Sequence, residues 1–178
     1  MALKVLVVLK ILRESGPGLL VPAAWLVVAA AHRGLVTERS LLIAHLVMAA
    51  FIIFFLTTGW AEMNDRVLGG WRVVLVGGVV ITLSGIAGFL IAPIATPTPL
   101  LAISLFGWMV IPAFGLFYTG IVLPEAAIIY VASGTLSIVG PIVYFLSVLS
   151  GIDVLAIGGI AVTGIGQTLG IGDAVLRY

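Results

Sequence analysis

Residues 41–60 read LLIAHLVMAAFIIFFLTTGW, and their one ionisable side chain is His45. The polar segment 32–40 precedes this run and the polar segment 62–66 follows it. About twenty mostly apolar residues is the length at which an α-helix crosses the hydrocarbon core of a bilayer. The stretch therefore predicts a membrane-spanning helix.

The composition extends this prediction to the whole chain. Hydrophobic residues make up 62% of the 178 residues and charged residues 8%, whereas soluble domains average about 45–50% and about 25%. The apolar runs are separated by glycine, proline and a few charges, which is typical of a polytopic helical membrane protein. We predict an all-α integral membrane bundle that forms a single domain, 1–178. Its six expected spans are approximately 19–32, 41–60, 73–95, 100–123, 126–149 and 152–171.

The N-terminal residues resemble a signal peptide, because Lys4, Lys10 and Arg13 precede an apolar run that ends at Ala31. Cleavage there would remove the helix that carries His32, so we interpret the run as an uncleaved first span. The sequence SGPG at 15–18 predicts a break. Residues 1–15 are then a short amphipathic helix at the interface or in the cytoplasm.

The orientation follows from the basic residues in short loops, which resist translocation. Two arginines, Arg33 and Arg39, fall on one side of the predicted bundle. The other side carries Lys4, Lys10, Arg13, Arg66, Arg72 and Arg177. We therefore expect a cell-membrane protein with both termini in the cytoplasm.

Charge and cysteine content exclude several classes of function. A net charge of +1 without a basic cluster argues against a nucleic-acid partner. The absence of cysteine excludes disulfides, thiolate catalysis and iron–sulfur sites. Since no catalytic set is recognisable either, the leading interpretation is an accessory or interaction module. Its expected partners are the lipid bilayer and a second copy or a larger membrane complex.

A polar stripe on the fifth span supports an alternative, a small transporter or channel. Hydroxyl-bearing residues recur there at steps of three and four, which places them on one helix face. The face could line a hydrated path, with polar residues of the sixth span opposite. The candidate path residues are Tyr130, Ser133, Ser137, Tyr144, Thr163 and Gln167.

The two histidines support a further alternative, a b-type haem or metal-binding membrane protein. An antiparallel hairpin would bring His32 and His45 to a similar depth, and imidazole ligates haem iron and divalent metals. The second ring nitrogens could bond to Thr37, Glu38 or Ser40 of the loop. His45 followed by Thr58 and Gly59 also resembles the first haem-binding helix of cytochrome b561-type proteins. This resemblance covers one helix and implies haem b at His45.

Overall fold

The computed structural model describes residues 2–91 and 99–177, and the side chains of residues 13, 15–91 and 99–177. These residues form six α-helices, and each helix is long and apolar enough to cross a membrane. The predicted all-α membrane bundle is confirmed. The helices are α1 (Ala2–His32), α2 (Glu38–Gly59), α3 (Arg66–Ile91), α4 (Pro99–Val122), α5 (Ala127–Ser150) and α6 (Asp153–Arg177).

The helix boundaries follow local chemistry. The hydroxyl of Thr37 accepts a hydrogen bond from the amide of Ser40 at 3.2 Å and so caps the start of α2. Gly151 ends α5 with a positive φ of 69°, a conformation that glycine adopts without steric cost. Helices are required here because a bilayer offers the backbone no water to bond to.

The third helix differs from the predicted span 73–95. It begins earlier, at Arg66, because the Asp65 carboxylate accepts a hydrogen bond from the amide of Val67 at 3.0 Å. Polar capping, rather than the first apolar residue, therefore sets its start. The predicted end falls on residues 92–95, which lie outside the described part of the chain.

The predicted break at 15–18 is absent, because residues 2–32 form one continuous helix. A Cβ placed on Gly16 would lie 3.3 Å from the ring of Phe55 in α2, and one on Gly18 would lie 3.4 Å from Val175 in α6. The small residues thus let two neighbouring helices approach α1. In membrane helices such packing tolerates glycine and proline that would end a helix in water.

The helices are neighbours in the order α2, α3, α4, α5, α6, α1, which closes into a ring. The most extensive contact joins α5 to α6, and the contact between α1 and α2 is small although these helices follow each other in the chain. We call the end of the bundle with Arg13 and the α2–α3 turn the Arg13 end. The opposite end, with the α1–α2 loop, is the His32 end.

The closest packing lies between α5 and α6. A Cβ on Gly140 would lie 2.6 Å from the carbonyl oxygen of Gly159, and one on Gly159 would lie 2.6 Å from the amide of Tyr144. Such distances leave no room for a side chain. The two helices therefore meet backbone to backbone, as small residues permit in membranes.

Candidate functional site

Helix α1 crosses the bundle obliquely. At the Arg13 end it meets α2, where the Arg13 guanidinium pairs with Glu62 at 2.7 Å and Gly16 faces Phe55. At its other end, Nε2 of His32 lies 2.8 Å from the hydroxyl of Tyr144 on α5. Since α1 leans toward α5, it diverges from α2 and leaves a cleft between the two helices.

This α1–α2 cleft encloses about 640 Å³ and is lined by α1, α2, α3, α4, α6 and the α2–α3 turn, which carries Glu62. Its lining extends along α2 from Leu41 to Gly59. Most lining side chains are aliphatic or aromatic, such as Val21, Met48 and Phe51. The polar side chains in the lining are Arg13, His45, Glu62, Thr82 and Gln167.

Gln167 on α6 forms the polar centre of the cleft wall. Its carbonyl accepts a hydrogen bond from the indole of Trp25 on α1 at 3.0 Å. Its amide donates to the backbone carbonyls of Trp108 at 2.8 Å and Met109 at 3.3 Å on α4. Pro112 has no N–H with which to bond the Trp108 carbonyl four residues earlier, so Gln167 replaces that bond.

The other central polar groups are also bonded within the protein. The Trp108 indole donates to the hydroxyl of Thr82 at 3.1 Å, and this hydroxyl donates to the carbonyl of Gly78 at 2.7 Å. Nε2 of His45 lies 3.3 Å from the hydroxyl of Ser104. The middle of the cleft therefore presents an essentially apolar surface to anything that enters it.

The two predicted haem ligands face different helices. Nδ1 of His32 is hydrogen-bonded to the carbonyl of Val28 at 2.9 Å. Nδ1 of His45 is hydrogen-bonded in the same way to the carbonyl of Leu41, also at 2.9 Å. A carbonyl only accepts, so in the neutral rings Nδ1 carries the proton and Nε2 accepts from a hydroxyl. The hydroxyls belong to Tyr144 and Ser104. The partners are thus a backbone carbonyl and a hydroxyl for each ring, and not the expected loop residues Thr37, Glu38 and Ser40.

The surroundings of His45 restrict what the lone pair on its Nε2 could bind. A Cβ on Gly85 of α3 would lie 2.6 Å from Nε2 and 2.6 Å from the hydroxyl oxygen of Ser104, so the bonded pair of His45 and Ser104 packs against this glycine. A haem iron at this nitrogen would have to displace Ser104 and separate α2 from α3. The described residues contain no group of three or more histidine, aspartate or glutamate side chains that could hold a metal ion. Haem or metal binding at His32 and His45 stays a prediction.

The predicted path residues lie mainly in the packed interface of α5 and α6. Tyr130, Ser133, Ser137 and Thr163 are at most 1% exposed. The hydroxyl of Ser137 donates to the carbonyl of Ser133 at 2.8 Å, and that of Thr163 donates to Gly159 at 3.0 Å. A solute path along this face would require the two helices to separate. Tyr144 belongs to the same interface through its backbone, but its hydroxyl extends to His32 at the end of α1. Gln167 lies in the cleft.

Sequence reasoning missed two charged residues that line the cleft, namely Arg13 and Glu62. The sequence feature that pointed to the cleft wall was Gln167, because a glutamine inside an apolar helix requires buried hydrogen-bond partners. Its partner Trp25 lies 142 positions away in the chain. A contact at that separation depends on the order in which the helices pack.

The fold and the cleft define a polytopic α-helical membrane protein with an apolar cavity open between its first two helices. Comparisons with protein-family models, curated proteins and solved structures found no match.

Proposed function

We propose that this chain is a non-enzymatic accessory protein of the cell membrane that holds a hydrocarbon chain of a lipid in the α1–α2 cleft. The observation that supports this function is the apolar cleft whose central polar groups, on His45, Thr82 and Gln167, are already hydrogen-bonded within the protein. Sites for sugars, nucleotides or peptides need polar groups that orient the ligand. A hydrocarbon chain needs none.

The length of the cleft suits an extended hydrocarbon chain. Leu41 and Gly59 are eighteen residues apart on α2, which at 1.5 Å per residue gives a length of about 27 Å. We therefore expect a lipid tail to lie along α2 in this space.

Packing, rather than the hydrophobic effect, would retain the lipid. A lipid tail leaves an environment as apolar as the cleft, so its transfer gains no hydrophobic free energy. An empty cleft of this size, however, would leave its lining atoms without dispersion partners. A chain that fills it restores those contacts.

The proposed location and orientation rest on the loop charges. The basic residues Arg13, Arg66, Arg72 and Arg177 belong to the Arg13 end, and Arg33 and Arg39 to the His32 end. Positive charge favours the cytoplasmic side of a membrane. We therefore place the Arg13 end and both termini in the cytoplasm, with the protein in the cell membrane.

Native mass spectrometry of protein purified in mild detergent tests this function. The wild-type protein should retain one lipid molecule. Ala44 lines the cleft, whereas Ala50 on the same helix is exposed and lies outside the lining. Ala44→Trp should lose the lipid because the indole occupies the space of the chain, and Ala50→Trp should retain it. Ala24→Phe fills the cleft from α1 and provides an independent variant.

Gel filtration and thermal melting establish that each variant is folded. A wild-type protein that carries no lipid in mild detergent would contradict the proposal. Equal lipid retention by the folded Ala44→Trp and Ala50→Trp variants would contradict it too, since the lipid would then bind elsewhere.

A further inference from the structure

The α1–α2 cleft carries two opposite charges at one end. Arg13 and Glu62 both line it, and both belong to the charged segments, 13–14 and 62–66, that flank the apolar runs 15–31 and 41–60. This position corresponds to the polar headgroup region next to the hydrocarbon core. The apolar cleft therefore ends where the headgroup of a bound lipid would lie.

The two charged groups keep capacity for a ligand. One terminal nitrogen of Arg13 binds the Glu62 carboxylate at 2.7 Å and the other donates to the carbonyl of Thr58 at 3.3 Å. A guanidinium has five N–H donors, so further donors can reach a ligand. The side chains of Arg13 and Glu62 are 31% and 56% exposed. A partly exposed ion pair of this kind adds little to stability. Stabilisation of the fold therefore does not account well for the two charges at this position.

We infer that the lipid in the cleft is a zwitterionic phospholipid, with its phosphate bound by Arg13 and its ammonium group bound by Glu62. This inference rests on the proposed function, because it assigns a headgroup to the same bound lipid. The charges match in number and sign. Arginine binds phosphate through charge-assisted hydrogen bonds, and a primary ammonium donates in the same way to a carboxylate.

Other headgroups fit this end less well. An anionic lipid would be attracted to the Arg13 guanidinium, but its net negative charge would be repelled by the Glu62 carboxylate. A headgroup with a net positive charge would be attracted to Glu62 and repelled by Arg13. The neutral pair therefore favours the headgroup that carries one charge of each sign.

A second ion pair at the same end of the bundle provides a matched control. Asp173 pairs with Arg177 one turn later on α6, and neither residue lines the cleft. A change to this pair alters the charge at the Arg13 end without altering the cleft. An effect of overall charge can thus be separated from an effect of headgroup contact.

The test measures which lipid stays bound after reconstitution in bilayers of equal amounts of phosphatidylethanolamine and phosphatidylglycerol. Native mass spectrometry should show the wild-type protein with phosphatidylethanolamine in about threefold excess, the size expected of a partly exposed charge contact. Glu62→Gln should shift the bound lipid toward phosphatidylglycerol, because Arg13 is then unopposed. Arg13→Gln should lower retention of both phospholipids. Asp173→Asn should match the wild type.

The possible outcomes separate the two proposals. If the folded wild-type protein retains no lipid, the proposed function fails and this inference fails with it. If lipid is retained with equal amounts of both headgroups, or if Glu62→Gln and Asp173→Asn shift the ratio alike, only the headgroup inference is overturned. Thermal melting of Glu62→Gln and Arg13→Gln establishes that the variants are folded.

Discussion

Gln167 on α6 supplies the hydrogen bond that Pro112 removes from α4. The Trp108 carbonyl, which a residue other than proline at position 112 would bond, instead accepts the Gln167 amide at 2.8 Å. The same side chain accepts the indole of Trp25. One glutamine thus ties three helices together at the wall of the cleft, and its burial is explained without a role in transport.

Replacing Gln167 by leucine should destabilise the protein. The change leaves the Trp25 indole and the Trp108 carbonyl buried without partners, which we expect to lower the free energy of unfolding by about 1–3 kcal/mol. Unfolding in mixed detergent micelles measures this difference. Thr135→Ala is the control, since the Thr135 hydroxyl is exposed and bonds its own helix. Its effect should stay within about 0.5 kcal/mol.

A double-mutant cycle tests the link to the proline. In a Pro112→Ala background, the new amide at position 112 can bond the Trp108 carbonyl within α4. Gln167→Leu should then cost less than in the wild type, with a coupling of about 0.6–1.7 kcal/mol. Additive effects of the two changes would show that Gln167 does not compensate for Pro112.

Two adjacent glycines of α6 should respond oppositely to alanine. A Cβ on Gly159 would meet the backbone of α5 at 2.6 Å, whereas one on Gly158 would have its nearest neighbour at 3.9 Å. Gly159→Ala should therefore lower the free energy of unfolding by about 1–3 kcal/mol through overpacking. Gly158→Ala should be neutral or stabilising by up to about 1 kcal/mol, because alanine favours the helix. Equal melting temperatures for the two variants would contradict the backbone contact of α5 and α6.

Gly85 should be required for the position of His45. A Cβ at Gly85 would lie 2.5 Å from the imidazole, so Gly85→Ala must displace the ring and break its contact with Ser104. We expect a clearly lower melting temperature, and a smaller loss when His45→Ala is already present, since the clash with the imidazole is then relieved and only that with the Ser104 hydroxyl remains. Gly77→Ala on the same helix is the control, because its nearest contact would be an ordinary 3.6 Å. If Gly85→Ala melts like Gly77→Ala, the His45 ring does not occupy this position.

Single-cysteine labelling tests the proposed orientation. The native chain contains no cysteine, so it gives no background. Ser40 and Ala61 are exposed at opposite ends of α2. In intact cells, a membrane-impermeant maleimide should label Ser40→Cys and leave Ala61→Cys unlabelled until the membrane is permeabilised. Labelling of Ala61→Cys alone would invert the orientation, and labelling of both would show that α2 does not cross the membrane.

Local properties of the chain predicted most of the fold. The length and hydropathy of residues 41–60 are sufficient to predict a spanning helix, because a bilayer accepts an apolar segment only when its backbone bonds itself. The predicted boundary differs from the observed one where a polar cap, such as Asp65, lies several residues before the apolar run. The glycines and proline at 16–18 misled the prediction, since their effect on α1 depends on which helices pack against them.

The sequence by itself determined that this is a helical membrane protein with about six spans, through composition and span length alone. Only the tertiary structure decided that α1 leans toward α5, that the His45 ring reaches Ser104, and that the α1–α2 cleft exists. In a soluble helix, hydrophobicity distinguishes the buried face from the exposed face. In a bilayer both faces are apolar, so helix order is set by close packing of small residues and by single hydrogen bonds such as that between Trp25 and Gln167.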